Sequence, residues 1–121
     1  MQLTNLVGVI HNMAKEYFEK LSNLINELKI EDEIGFPLEV KHFFSGAALY
    51  VNGTICASWS PGGLAFKLSE LEVSNLIASG KAKPLRYFPK GYIKKGYALF
   101  ENPSLSDPNH WLIYFKKAAQ Q

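Results

Sequence analysis

The sequence predicts an α+β domain in which helices cover an antiparallel sheet, and three observations lead there. A long apolar stripe at helical spacing opens the chain, an Asn-Gly hairpin signal follows, and the strand-like stretches come in groups and do not alternate one for one with helices. With 121 residues, 47% of them hydrophobic and 20% charged, residues 1–121 hold enough apolar material for a single domain with one core, and too little for two.

The stripe consists of Leu3, Leu6, Val7, Ile10, Met13, Ala14, Tyr17, Phe18, Leu21, Leu24, Ile25 and Leu28, recurring every three or four residues as one face of an α-helix does. So long a helix either breaks near Gly8 or carries its first turns beyond the domain body. Its apolar face can lie wholly on the sheet of its own subunit, or it can meet a second copy in a homodimer. A polar segment, Lys29 to Glu33, and the turn signal Gly35-Phe36-Pro37 end this region.

Strands are expected over 38–44, 47–51 and 54–59. The last two flank Asn52-Gly53, the pair that supplies both positive-φ positions of a type I′ turn. Ser60-Pro61-Gly62-Gly63 makes the next turn, and 64–68 a fourth strand. Ser69-Glu70-Leu71-Glu72 has the spacing of a capping box, so a helix starts there and stops at Ser79-Gly80. Two more strands are expected over 83–88 and 97–101, joined by a polar connection over 89–96. A last helix is capped by Ser106 or Asp107 with Pro108 in its first turn, and Trp111, Leu112, Phe115 and Ala118 line its inner side. The order is therefore α-β-β-β-β-α-β-β-α.

Catalysis needs polar groups brought together, and the sequence offers no recognisable set. His11, His42 and His110 stand far apart and outside any metal-ligand spacing, so no metal and no cofactor are expected. The single cysteine, Cys56, sits mid-strand beside Ile55 and Ala57, which points to burial and not to an activated thiol, and it rules out an intrachain disulfide. No Gly-x-Ser-x-Gly elbow and no glycine-rich phosphate loop is present. A small enzyme or ligand carrier would need a deep pocket with convergent polar groups, which sequence cannot display.

The N-terminal stretch has no basic leader before an apolar run, and no stretch is apolar over the roughly 18 residues a membrane span requires. A cytoplasmic protein without membrane contact is expected. The formal charge of +2 is small, but its distribution is uneven: residues 1–66 carry four lysines against seven acids, residues 67–121 nine cations against four acids. The sharpest ligand surface is the stretch from Lys81 to Tyr97. There Lys83, Arg86, Lys90, Lys94 and Lys95 interleave with Tyr87, Phe88, Tyr92 and Tyr97, a pattern that suits an acidic protein partner or the stacked bases of single-stranded nucleic acid. The same aromatics can equally be core residues of strands.

The run from Lys41 to Ala57, with Phe43-Phe44-Ser45-Gly46 leading through Tyr50 to Asn52-Gly53, resembles the signature of the TfoX/Sxy N-terminal domain family. In that family Met-Phe-Gly-Gly precedes a strand, a turn ending in glycine and a second strand. The agreement continues in order through Leu64-Ala65-Phe66-Lys67-Leu68, Pro84-Leu85-Arg86-Tyr87, Tyr97 to Phe100, Pro103, and Trp111 with its closing alanines, over residues 12–119. Phe43 stands where the family has Met, Ser45 where it has its first Gly, and Ala98-Leu99 replace part of its aromatic strand. The residues that carry the motif are Phe44, Gly46, Tyr50, Gly53, Lys67, Tyr87, Pro103 and Trp111.

The resemblance implies a type III secretion-chaperone-like α+β fold and a non-enzymatic regulatory role. Full-length members are linked to control of natural competence, acting with a transcription factor as protein partner. The chain ends at Gln121, and the helical C-terminal domain of the full-length regulators is not expected here.

Overall fold

The computed structural model describes residues 3–86 and 91–121, with side chains described from Ala14 onward. Helix α1 (Leu3–Glu27) is continuous and does not break at Gly8. At 1.5 Å per residue it is roughly 37 Å long, whereas the six-residue strands beside it measure about 20 Å. Ala14, Leu21, Leu24, Ile25 and the following Leu28 are buried. The side chains of the earlier part of the stripe, Leu3 to Met13, lie outside the described residues.

Lys29 takes a left-handed conformation at φ 53° and separates α1 from a second helix, α2 (Ile30–Ile34). By composition alone this stretch is a polar segment. Its two isoleucines explain the difference: Ile30 is fully buried and Ile34 packs on the core, while Glu31, Asp32 and Glu33 turn outward. Gly35, at φ 75°, ends the helix as the turn signal required.

The strands are β1 (Leu38–Phe43), β2 (Gly46–Val51), β3 (Thr54–Ser60), β4 (Gly63–Lys67), β5 (Lys83–Arg86) and β6 (Ile93–Phe100), with α3 (Glu70–Ala78) between β4 and β5. Two 3-10 turns, Pro103–Leu105 and Pro108–Trp111, lead into α4 (Leu112–Ala119). The architecture is α+β, as the patterning predicts: one open antiparallel sheet in the order β1-β2-β3-β4-β6-β5, with helices packed on it. Asn52 at φ 50° and Gly53 at φ 81° close the β2–β3 hairpin between Val51 and Thr54, the two left-handed positions a type I′ turn demands.

One boundary moves. β6 begins at Ile93, so Lys94 and Lys95 are strand residues and not part of a connection, with Leu85 opposite Lys94 and Arg86 opposite Ile93. Ile93 to Lys95 run past β4, which pairs with β6 only from Tyr97 on, and all three are exposed, so no apolar alternation is needed there. Polar composition therefore hides the strand. Tyr87 and Phe88, expected in β5, lie outside the described residues.

Register sorts the side chains onto two faces. Ala47, Leu49, Val51, Ala57, Trp59, Leu64, Phe66, Ala98 and Phe100 face the helices and join one core with α1, α3 and α4. Phe66 is its centre: the rings of Phe100, Trp111, Tyr114 and Phe115 all lie within 6.1 Å, centroid to centroid. On the opposite face Ala65, Leu85 and Tyr97 form a smaller cluster with Leu99. Irregular pairing at Leu49/Tyr50 and at Pro84/Leu85 bends the sheet. Leu85 and Arg86 consequently share a cavity of about 50 Å³ with Phe43, Phe44 and Ser58, although β5 and β1 stand at opposite ends of the strand order.

Candidate partner-binding surface

The surface starts from how α3 is built. Ser69 Oγ accepts the backbone N–H of Glu72 at 3.2 Å, which fixes the first turn. The returning half of the expected capping box is absent: the Glu72 carboxylate pairs instead with the Lys117 ammonium on α4. A tertiary ion pair has taken the group that local spacing assigned to the helix start. Val73 and Leu76 are buried against the sheet, and Glu70, Ser74 and Ile77, at helical spacing, are left along the side of α3 that faces β6.

Between that side and the β5–β6 hairpin runs an open cleft of about 310 Å³ lined by Glu70, Val73, Ile77, Pro84, Lys94 and Lys95, among others. Its floor is apolar and its β6 rim is cationic. Exposed apolar groups stand close in the chain to these walls: Leu71 is 73% exposed, Tyr92 98% and Ile93 46%. Solvent-facing apolar side chains beside a cleft are the composition of a recognition surface.

The five cations singled out in the sequence fare differently. Lys83 is held by Glu101 at 2.8 Å, an exposed pair across the end of the β5–β6 ladder. The Arg86 guanidinium donates to the Gly91 carbonyl at 2.7 Å and braces the base of the hairpin loop. Lys94 and Lys95 are exposed and form no ion pair among the described residues. Lys90 and Tyr87 lie outside the described residues. The charge asymmetry of the two halves is partly cancelled in space, since Lys116 meets Glu33 of α2 at 3.4 Å, while Lys117 pairs with Glu72 inside the basic half.

The motif residues do not gather into one site. Phe44 sits in the β1–β2 turn at φ 53° and is 64% exposed. Gly46 serves close approach: a Cβ there would overlap the Trp59 carbonyl oxygen and crowd Ser60, a clash with backbone that no rotamer relieves. Tyr50 lies under the Lys41 ammonium, 5.0 Å from its ring centroid. Gly53 completes its turn, and Lys67 is half-buried opposite Tyr97. Pro103 and Trp111 are buried, and with Trp59 and Lys20 they line a second groove between α1 and segment 102–111, made of adjoining cavities of about 280 and 310 Å³. Most of these positions thus hold the fold.

Of the groups that could suggest chemistry, Cys56 is buried, while His42 and His110 are exposed and lie against aromatic rings. Cys56 is 2% exposed, and burial pushes its thiol up to about 12, the opposite of an activated nucleophile. His42 stacks on Phe18 at 4.8 Å and His110 lies edge-on to Trp111 at 4.7 Å. Among the described residues no three His, Cys, Asp or Glu side chains converge as metal ligands, and no helix is long and apolar enough to cross a membrane.

What sequence reasoning missed is the α3 wall of the cleft. The signal was present, because a glutamate and a serine share a helical side with Ile77, but nothing local says that β6 is the neighbour.

An open antiparallel sheet with helices on one face, a cationic edge hairpin and a cleft beside it make up a small α+β domain. The family pattern of the TfoX N-terminal domain matches residues 34–121, most of the chain, and the chain belongs to that family. The match begins in the last residue of α2, so α1 precedes it, and the agreement is shorter at the N-terminal side than the motif comparison implied. No curated protein matches the chain.

Proposed function

We propose that this chain is a non-enzymatic regulatory domain that binds a protein and modulates transcription through that partner, in the manner of competence regulators. The observation that carries the reading is the α3–β6 cleft, with its apolar floor and the two lysines on its rim. Such a cleft suits a partner segment that presents apolar side chains next to carboxylates. The reading is supported further by membership in the TfoX N-terminal domain family, which is not a known enzyme family.

The test is capture of partners from native lysate on the immobilised chain, run beside a Lys94→Glu/Lys95→Glu variant. A protein held by the wild-type chain and lost from the variant is the expected outcome. Equal capture by both would remove the cleft from the account.

A second reading takes the same basic hairpin as a site for single-stranded nucleic acid. The engagement of Lys83 and Arg86 within the fold leaves fewer cations for phosphates and favours the first reading. Absence of oligonucleotide binding at low ionic strength would dispose of the second.

A further inference from the structure

Both ends of the sheet order are edges, and they are unlike. β5 has four residues and contains Pro84, features that discourage a further strand. β1 has six residues and no proline, and runs along the other edge. Which of its backbone groups face outward follows from hydrogen-bond parity. The Asn52 N–H donates to the Pro37 carbonyl at 2.9 Å, one residue before β1 begins. Direction alternates along an antiparallel ladder, so Glu39, Lys41 and Phe43 direct their backbone groups to β2. Leu38, Val40 and His42 turn theirs to the outer edge.

We infer that this edge pairs with the same edge of a second copy of the chain, antiparallel about a two-fold axis through Val40, to give one continuous sheet across two subunits. The pairing matches the outward groups to one another. Val40 faces Val40 of the second copy as a hydrogen-bonded pair, and Leu38 faces His42 on either side of it. The intervening positions set Glu39 opposite Lys41, twice over by symmetry, at the non-hydrogen-bonded positions where cross-strand side chains come closest.

Charge complementarity is what selects a second copy as the occupant. Glu39 and Lys41 already share the helix-free face, with their charged ends 3.8 Å apart, and both are exposed. On the helix side Leu38, Val40 and Phe18 are only half-buried, although all three pack on the core. A neighbouring subunit would cover this apolar border. The surface is separate from the α3–β6 cleft, so the two readings stand or fall independently.

The experiment measures mass in solution by light scattering and the dimer dissociation constant by sedimentation, on the full chain. Wild type is expected to be dimeric. Lys41→Glu places four carboxylates along the seam and should weaken the dimer on the order of tenfold or more. Glu39→Lys does the same with four ammonium groups. The double variant Glu39→Lys/Lys41→Glu restores opposite charges across the axis and should return the constant to near the wild-type value. Val40→Pro removes an outward N–H without breaking a bond to β2. It should give a monomer whose circular dichroism remains that of the folded chain. A wild-type monomer at high protein concentration would overturn the inference. So would a dimer indifferent to Val40→Pro, or a failure of the double charge swap to restore what either single swap loses.

Discussion

The ring cluster at the middle of the sheet and the hairpin at its β5–β6 edge both carry aromatic residues, put to opposite uses. Around Phe66 four rings pack edge to face, stacked or tilted, and Phe100, Trp111 and Phe115 are buried with it, Tyr114 half so. Along β6, Lys94 and Lys95 stand in water above the cleft, and Tyr92 is almost wholly exposed. The difference teaches that composition says little about role here: substitution in the first region should cost stability, and substitution in the second, on the proposed function, recognition.

Variants can break or sharpen that contrast. Phe66→Ala should have the largest effect, a loss of about 3–5 kcal/mol in denaturant unfolding, because the cavity lies among aromatic groups that cannot collapse into it. Gly46→Ala tests the close approach at the start of β2 and should cost about 1–3 kcal/mol, since the added Cβ meets backbone. A loss under half a kcal/mol would mean that the strand yields there.

Cys56 supplies a pH-dependent version of the same test. Its ordinary value of 9.0 is raised to about 12 by burial, so above pH 9 the unfolded chain releases a proton that the folded chain keeps. Stability should therefore fall as pH rises past 9, and Cys56→Ala should flatten that part of the profile. Ser69→Ala removes the oxygen that caps α3 and should cost about 1 kcal/mol. Lys94→Glu/Lys95→Glu should change stability by less than about 0.5 kcal/mol while abolishing partner capture. A large loss of stability in that variant would erase the distinction between the two regions.

Much of the fold is legible in local sequence because local physics enforces it. The Asn52-Gly53 turn is readable since few other residues accept two successive left-handed conformations. The α1 stripe and the Ser69 cap are readable for similar reasons, and so is the Asp107 cap, although it accepts the Asn109 N–H at 2.9 Å to start a 3-10 turn, with α4 itself beginning only at Leu112. The short helix α2 was not, because one turn and a half with two isoleucines carries too few periods to stand out. The start of β6 was not, because Ile93 to Lys95 run past the end of β4 and have no buried face to impose alternation. Of the candidate surface, the lysines were visible and the cleft was not.

The chain alone determined that there is an antiparallel sheet with helices on it, where its tightest turns fall, and that Cys56 belongs inside. These follow from short-range sterics and from periodicity, which act between residues a few positions apart. Tertiary structure decided that β6 lies between β4 and β5, that Glu72 binds Lys117 and not its own helix start, and that Lys94 and Lys95 rim a cleft with α3. Those outcomes depend on which distant segments pack together, and that is settled by the combined burial of the whole core, not by any local pattern.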